Sequence, residues 1–373
     1  MAKVVIVGGG VIGTMHAYFA LKAGHSVVQC ERDAIAQSAS VRNFGLIWVS
    51  GREKGAELEL ALRSRVLWGE IGNEIGTIGF RPNGSLTVAT DEKVWKLVND
   101  AANMPDADAR GFELLTKEEL QKLEPALAGN YFGALRCTQD AAVEPNLLFI
   151  GFREYLLKNP NYKWVPNFEV VEASHSDTGN HVFNSKGEKI SGDYLIICAG
   201  AMHAGFLSDH LTSAPIRKVH LQMAATEPQK YKVGHSLADG DSLRYYPAFK
   251  DLDLASLNPQ SEIASKYHMQ LLLVQRLDGS MTIGDTHEYV EPFTHEIDEA
   301  PYDHLLDVIQ GIFGGAKPRI QKRWSGVYSQ STSKDIYFRK EIAPQTVVVT
   351  GGGGRGNTLS AAIAEETFKS WQI

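Results

Sequence analysis

The apolar positions of this chain change period several times, and the changes outline its elements. Lys3–Val7 is a short apolar run broken by Gly8-Gly9-Gly10. From Val11 to Ala23 the pattern is helical; Gly24 stops it, and Ser26–Glu31 reads as a second strand. Strand, turn, helix and strand within about thirty residues is the span that a parallel crossover needs. Glu57–Ile75 predicts a long amphipathic helix with Leu58, Leu62, Val66, Ile71 and Ile75 near one face. Pro82–Thr90 reads as a turn into a strand, and 93–102 and 117–123 as helices. Strands are expected at 167–174, 181–184, 193–198, 219–226, 268–275 and 280–283. Asp278-Gly279 marks a hairpin. Their alternation suggests an antiparallel sheet with one exposed face. Thr346–Thr350 is a buried-type strand, followed by a second glycine cluster and a helix over 358–368.

With 373 residues the chain suits one large or two interlocked domains. The net charge of −7 repels phosphate backbones, so nucleic acid is not an expected partner. Cys30, Cys137 and Cys198 show no CxxC spacing, which implies neither a disulfide framework nor a zinc site and suits a reducing cytoplasm. No apolar run reaches the length of a membrane span.

Gly8-x-Gly10-x-x-Gly13 lies between the first strand and the first helix. Glycines at this spacing allow a tight turn, close backbone approach and exposure of a helix start, the conditions a pyrophosphate requires. Glu31 closes the second strand, where a carboxylate can hold ribose hydroxyls. The bland reading is a tight strand–helix turn. The register of strand, glycines, helix, strand and acid favours a dinucleotide site. Gly351-x-Gly353-x-x-Gly356 repeats the spacing, but only 17 residues follow it, too few for a second nucleotide unit. It reads as a loop whose N–H groups face a ligand.

The segments GGGVIG (8–13), ER (31–32), ASVRNFGLI (39–47), CAGA (198–201) and GGRGNTLS (353–360) resemble the D-amino-acid oxidase group of FAD-dependent oxidoreductases, nearest to its glycine oxidase and sarcosine oxidase branch. SVRNFG, ELALRSR (59–65) and TIGDTHEY (282–289) resemble a bacterial subgroup associated with aminophosphonate breakdown. The resemblance implies an α/β fold, an FAD-binding Rossmann-type domain of glutathione-reductase type carrying an inserted, mostly antiparallel substrate domain. Residues 1–80, 141–212 and 322–373 would form the first and 81–140 and 213–321 the second. FAD would contact Gly8, Gly10, Val11, Ile12, Gly13, Glu31 and Arg32 at its ADP half. Arg42, Asn43, Phe44 and Gly45 would lie under flavin and pyrophosphate, Val170 by adenine, and Ala199-Gly200 by the ribityl chain. Gly353, Gly354, Arg355, Gly356, Asn357 and Thr358 would surround the pyrimidine edge. Lys322–Tyr337 lacks the cysteine that binds flavin covalently in sarcosine oxidases, so noncovalent FAD is expected.

The implied reaction is oxidation of the C–N bond of a small amine. An N-alkyl aminoalkylphosphonate is the favoured substrate, and a sarcosine- or glycine-like amino acid or a 2-hydroxy acid the alternative. Sarcosine oxidases carry a lysine where Thr358 stands, so the partner for the substrate's anion is sought in Arg355, Arg276 or Arg339. His268, His287, Tyr245 and Tyr246 fall where the resemblance puts the substrate sheet or its lid, with His268, His287, Tyr246 and Arg355 the catalytic candidates. Asp285, His287 and Glu288 read as sheet-end residues facing the site, with no metal centre implied.

Overall fold

The structure, a computed structural model, describes residues 1–294 and 296–373. Two large sheets organise the chain. In the first, the parallel strands Thr346–Thr350, Tyr194–Ile197, Lys3–Val7, Ser26–Cys30 and Tyr162–Val165 lie side by side in that order, and Phe338–Ala343 adds an antiparallel edge. The central strands Lys3–Val7, Tyr194–Ile197 and Thr346–Thr350 are mostly apolar because both faces are covered. One face carries the helices Val11–Lys22, Ala56–Ile75, Pro145–Leu156 and Gly356–Trp371, and the other a three-stranded sheet of 170–192. The helix Val11–Lys22 is buried on nearly every side, wedged between the sheet and the helix Gly356–Trp371.

The second sheet has eight strands. Ile320–Ser331, Ile216–Thr226, Met281–Gly284, Leu272–Gln275, Ser236–Ala238, Ser85–Ala89, Gly133–Cys137 and Phe112–Thr116 follow one another, antiparallel except for the pair Ser236–Ala238 and Ser85–Ala89. Its flanking helices start where the sequence supplies caps. The Asp91 carboxylate accepts from the N–H groups of Lys93 and Val94, and Thr116 with Glu119 forms a capping box. Among the described residues no helix is long and apolar enough to cross a membrane.

Three expectations need correction. Val66 is exposed, and the buried face of its helix runs through Leu58, Ala61, Ser64, Leu67, Trp68, Ile71 and Ile75; several neighbours pack on that helix, so the apolar stripe is wider than one seam. The strands expected in one antiparallel sheet serve three: 170–192 is separate, and Tyr194–Ile197 joins the parallel sheet. Alternation marks half-buried strands without naming their partners. Residues 322–331, expected with the nucleotide unit, pair with Ile216–Thr226 in the eight-stranded sheet. That strand ends against the C-terminal glycine loop, where the Ser331 N–H donates to the Gly351 carbonyl at 2.8 Å. Closeness to the loop along the chain therefore hid which sheet the strand belongs to.

Candidate active site

Both glycine loops lie at the carboxyl ends of strands in the parallel sheet, the edge where such sheets bind ligands. At the first loop, Gly8 has φ +109°, and a Cβ there would sit 2.3 Å from the Cys198 carbonyl oxygen. A Cβ on Gly13 would sit 2.2 Å from the Gly8 carbonyl oxygen. Only glycine permits this turn. Glu31 accepts hydrogen bonds from the N–H of Gly9 (2.7 Å) and of Asp33 (3.2 Å). Arg32 is exposed and pairs with Asp33. Ser40 Oγ receives the Val11 N–H at 3.0 Å, bringing the 39–45 loop onto the helix start beside Gly10 and Ile12.

The other expected contacts take varied positions. Arg42 donates to the carbonyls of Gln37 and Ser325 (both 2.9 Å), so its guanidinium braces loops. Asn43 closes its own turn through the Ser40 carbonyl and the Gly45 N–H, and a Cβ on Gly45 would meet the Val143 carbonyl at 2.1 Å. Val170 is packed in an apolar cluster with Val7, Cys30 and Phe168. Ala199-Gly200 follows the strand Tyr194–Ile197, and Thr350 Oγ1 donates to the Gly200 carbonyl at 2.6 Å. Thr358 is buried and its hydroxyl accepts the Trp48 N–H at 2.8 Å, tying the last helix to the 46–48 segment.

Between the two sheets lies a cavity of about 470 Å³. Asn43, Phe44, Trp48, Gly354, Arg355 and Asn357 line it from the nucleotide side; Gln270, Asp285, His287 and Tyr289 line it from the eight-stranded sheet, with Tyr245, Tyr246 and His268 nearby. Arg276 and Arg339 are absent from its lining. Arg276 is half-buried and donates to Thr282 Oγ1 (2.8 Å) and the Asn43 carbonyl (3.2 Å), the desolvation of its guanidinium pushing it down to about 10. Arg339 binds Ser370 on the far side of the parallel sheet's edge strand. Of the three expected arginines, only Arg355 reaches the cavity.

Arg355 does so beside a residue the sequence reading missed. Glu57 bridges Arg355 (3.0 Å) and Arg52 (3.4 Å), and all three line the cavity. Two guanidiniums against one carboxylate leave one positive charge. Arg52 is held by the Trp48 carbonyl at 2.9 Å, and its guanidinium lies 5.5 Å from the Tyr246 ring centre. Its loop is anchored below, where Asp140 accepts from the Ser50 N–H and hydroxyl and Arg110 donates to the Ser50 carbonyl. Arg52 follows a buried run, Ile47–Ser50, and a charge at the end of such a run was the available signal.

On the sheet side, His287 Nδ1 lies 2.9 Å from the His268 carbonyl oxygen, so it is the donor there, and in the neutral ring Nε2 then accepts from the Tyr245 hydroxyl at 2.8 Å. His268 has φ +46° and contributes that carbonyl, while its ring lies 5.5 Å from Tyr289. Glu288 turns away to His220 at 2.9 Å. Burial raises the hydroxyls of Tyr245 and Tyr246.

The residues present fit FAD. The glycine cradle accepts a backbone-hugging pyrophosphate. Three buried polar atoms on cavity-lining residues (Trp48 Nε1, Gln270 Oε1 and Asn357 Oδ1) have no hydrogen-bond partner in the protein, the mixed donor and acceptor set that a polar ring system satisfies.

Known proteins agree. One of the subunits of the opine oxidase of Rhizobium meliloti is 22% identical over 235 residues, 60% of this chain and 62% of that one. D-amino acid dehydrogenase of Helicobacter pylori is 22% identical over 250 residues, 53% and 60% respectively. The chain thus spans 62% and 60% of the length of these curated relatives. Glycine oxidase from Bacillus cereus ATCC 14579 has the same fold, with a TM-score of 0.81 at 20% identity over 100% of this chain and 95% of that one. Iminodiacetate oxidase from Chelativorans sp. BNC1 gives 0.75 at 17% identity, over 97% and 93%. The family described as FAD dependent oxidoreductase (DAO) matches residues 3–369, and with the glycine cradle and the cavity beside it this makes the chain a member of that family.

Proposed function

We propose that the protein binds FAD noncovalently and oxidises the C–N bond of a small amine that carries an acid group, with an N-alkyl aminoalkylphosphonate as favoured substrate. The observation that carries this reading is the pair Arg52 and Arg355 on the shared Glu57, a forked cationic wall with one net positive charge lining the cavity. Guanidinium forks suit the oxygens of phosphonate or carboxylate. Arg244 lines the same cavity, held at 3.3 Å by Asp241, and would favour the more highly charged phosphonate. The start of the helix Gly356–Trp371 adds its positive end beside Arg355.

When bound, FAD supplies the hydride acceptor. The protein's own residues orient and enclose: the arginines hold the acid group, Tyr246 and Trp48 wall the cavity, and the Tyr245–His287 hydrogen bond keeps the sheet side in place. Glycine oxidase and iminodiacetate oxidase among the structural neighbours support an amine or amino acid as substrate. Noncovalent binding is supported by the cysteines, which are all buried and absent from the cavity lining. Three unpaired thiols also accord with a cytoplasmic location.

Anaerobic mixing with phosphonate amines, carboxylate amines and 2-hydroxy acids tests the reading. Amines should bleach the flavin, the phosphonate fastest; bleaching by hydroxy acids alone would overturn it. Acid precipitation should release all the yellow colour into solution.

A further inference from the structure

Three carboxylates line the cavity among the described residues: Glu57, Asp241 and Asp285. Glu57 is committed to two arginines and Asp241 to Arg244. Asp285 has neither arginine nor lysine. Its contacts are the Gln270 side-chain amide at 3.2 Å and His287 Nε2 at 3.6 Å. In the neutral ring, with Nδ1 donating to the His268 carbonyl, that nitrogen is an acceptor toward Tyr245 and brings no proton to the carboxylate. A buried carboxylate with no cationic partner is costly, and a cationic ligand removes that cost.

We infer that Asp285 receives the ammonium end of the substrate and takes a proton from it, while Arg52 and Arg355 hold the acid end. The inference rests on the amine-oxidation reading above. Asp285 follows the strand Met281–Gly284, whereas Arg52 and Arg355 come from the loops of the nucleotide side, so the cavity is bipolar. Tyr246 stands between the two sets, its ring 5.5 Å from the Arg52 guanidinium, and lines the same cavity as Asp285. A small zwitterion matches that arrangement. In the step itself, an N–H bond of the ammonium breaks, an O–H bond forms on Asp285, and the electron pair stays on nitrogen. The neutral amine so formed is the species whose neighbouring carbon can lose hydride.

Burial raises the Asp285 carboxyl, opposed by His287. The other titratable groups facing it are Tyr245 and Tyr246 from the 242–246 segment, Tyr289 beyond His287, and Tyr328 from the strand Ile320–Ser331. Burial raises all four hydroxyls, so they stay protonated across the range in which a carboxyl ionises.

The experiment titrates FAD-loaded wild type, Asp285→Asn and Asp285→Glu anaerobically, following the flavin spectrum. The probes are N-methyl-2-aminoethylphosphonate and sarcosine, with ethylphosphonate and acetate as amine-free anions. In the Asn variant the amines should bind at least about 30-fold more weakly, while the amine-free anions stay within about threefold. The Glu variant should recover part of the loss. In wild type, without any substitution, amine affinity should fall as pH drops through one ionisation that the amine-free anions do not sense. Equal losses for amines and amine-free anions, or amine binding with no such ionisation, would overturn the role of Asp285. If amines bind through Asp285 in this way yet none bleaches the flavin, the oxidation reading fails and the ammonium site stands.

Discussion

The two glycine loops share one spacing and obey different physics. At Gly8-x-Gly10-x-x-Gly13 the constraint is space: Cβ atoms on the outer glycines would press within 2.3 and 2.2 Å of backbone carbonyls. At Gly351-x-Gly353-x-x-Gly356 the constraint is partly conformational. Gly351 and Gly353 have φ of +73° and +58°, whereas Gly356 is helical and a Cβ there meets nothing within 4 Å. The first loop is sealed by its own sheet. The second is open toward the cavity, and its partners arrive from elsewhere: Gln330 from the eight-stranded sheet and Glu57 from the helix Ala56–Ile75. An identical motif can therefore be enforced by close backbone packing in one place and by backbone conformation in another.

The sharpest way to break this contrast is to add one methyl to each loop. Gly13→Ala should cost about 3 kcal/mol or more and leave a protein unable to retain flavin. Gly356→Ala should stay within about 1 kcal/mol of wild type in urea unfolding of the apoprotein. If Gly356→Ala loses stability as Gly13→Ala does, the second loop is as sealed as the first.

His16 gives the next largest effect, because it joins the helices that follow the two loops. It is fully buried, with Nδ1 2.7 Å from the Ile12 carbonyl and Nε2 2.9 Å from Thr367 Oγ1. Burial, opposed by the Ile12 carbonyl, lowers its pKa from 6.5 to about 4. The unfolded chain binds this proton first as pH falls, so the neutral folded form is favoured above 6.5 and the advantage disappears on descending to about 4. The contribution is at most about 3 kcal/mol, read from urea midpoints across that range. His16→Gln should flatten the slope, and an unchanged slope would assign it to other groups.

Thr358→Val is the smallest test. It strips the acceptor from the buried Trp48 N–H and should cost about 1–2 kcal/mol. Were Thr358 a ligand contact and no brace, the apoprotein would be unaffected and only flavin retention would suffer.

Much of the nucleotide half was legible because its signals are local. The run Lys3–Val7, the glycines, the helix and the acid Glu31 lie within about thirty residues, so strand period, turn chemistry and helix period report on one another. The C-terminal strand Thr346–Thr350 was legible for the same reason. The cavity was less so. Arg276 was one of three arginines considered for the substrate's anion, and the fold uses it to bind Thr282 and the Asn43 carbonyl; Arg52, which does line the cavity, sits in a segment with no periodic signature. A guanidinium's partner depends on which loops meet around it, and those loops lie more than a hundred residues apart.

The sequence by itself determined that strand, glycine turn and helix recur at both ends of the chain, and that an acid closes the second strand. Those features follow from backbone geometry that few other residues permit. Only the tertiary structure decided that the strand Ile320–Ser331 belongs to the second sheet, that Thr358 is a brace, and that Glu57 is shared by Arg52 and Arg355. It also left Asp285 as the cavity's one carboxylate, among the described residues, without an arginine or lysine. The reason is that charge pairing and burial are properties of neighbours in space, and the two sheets bring those neighbours together from distant parts of the chain.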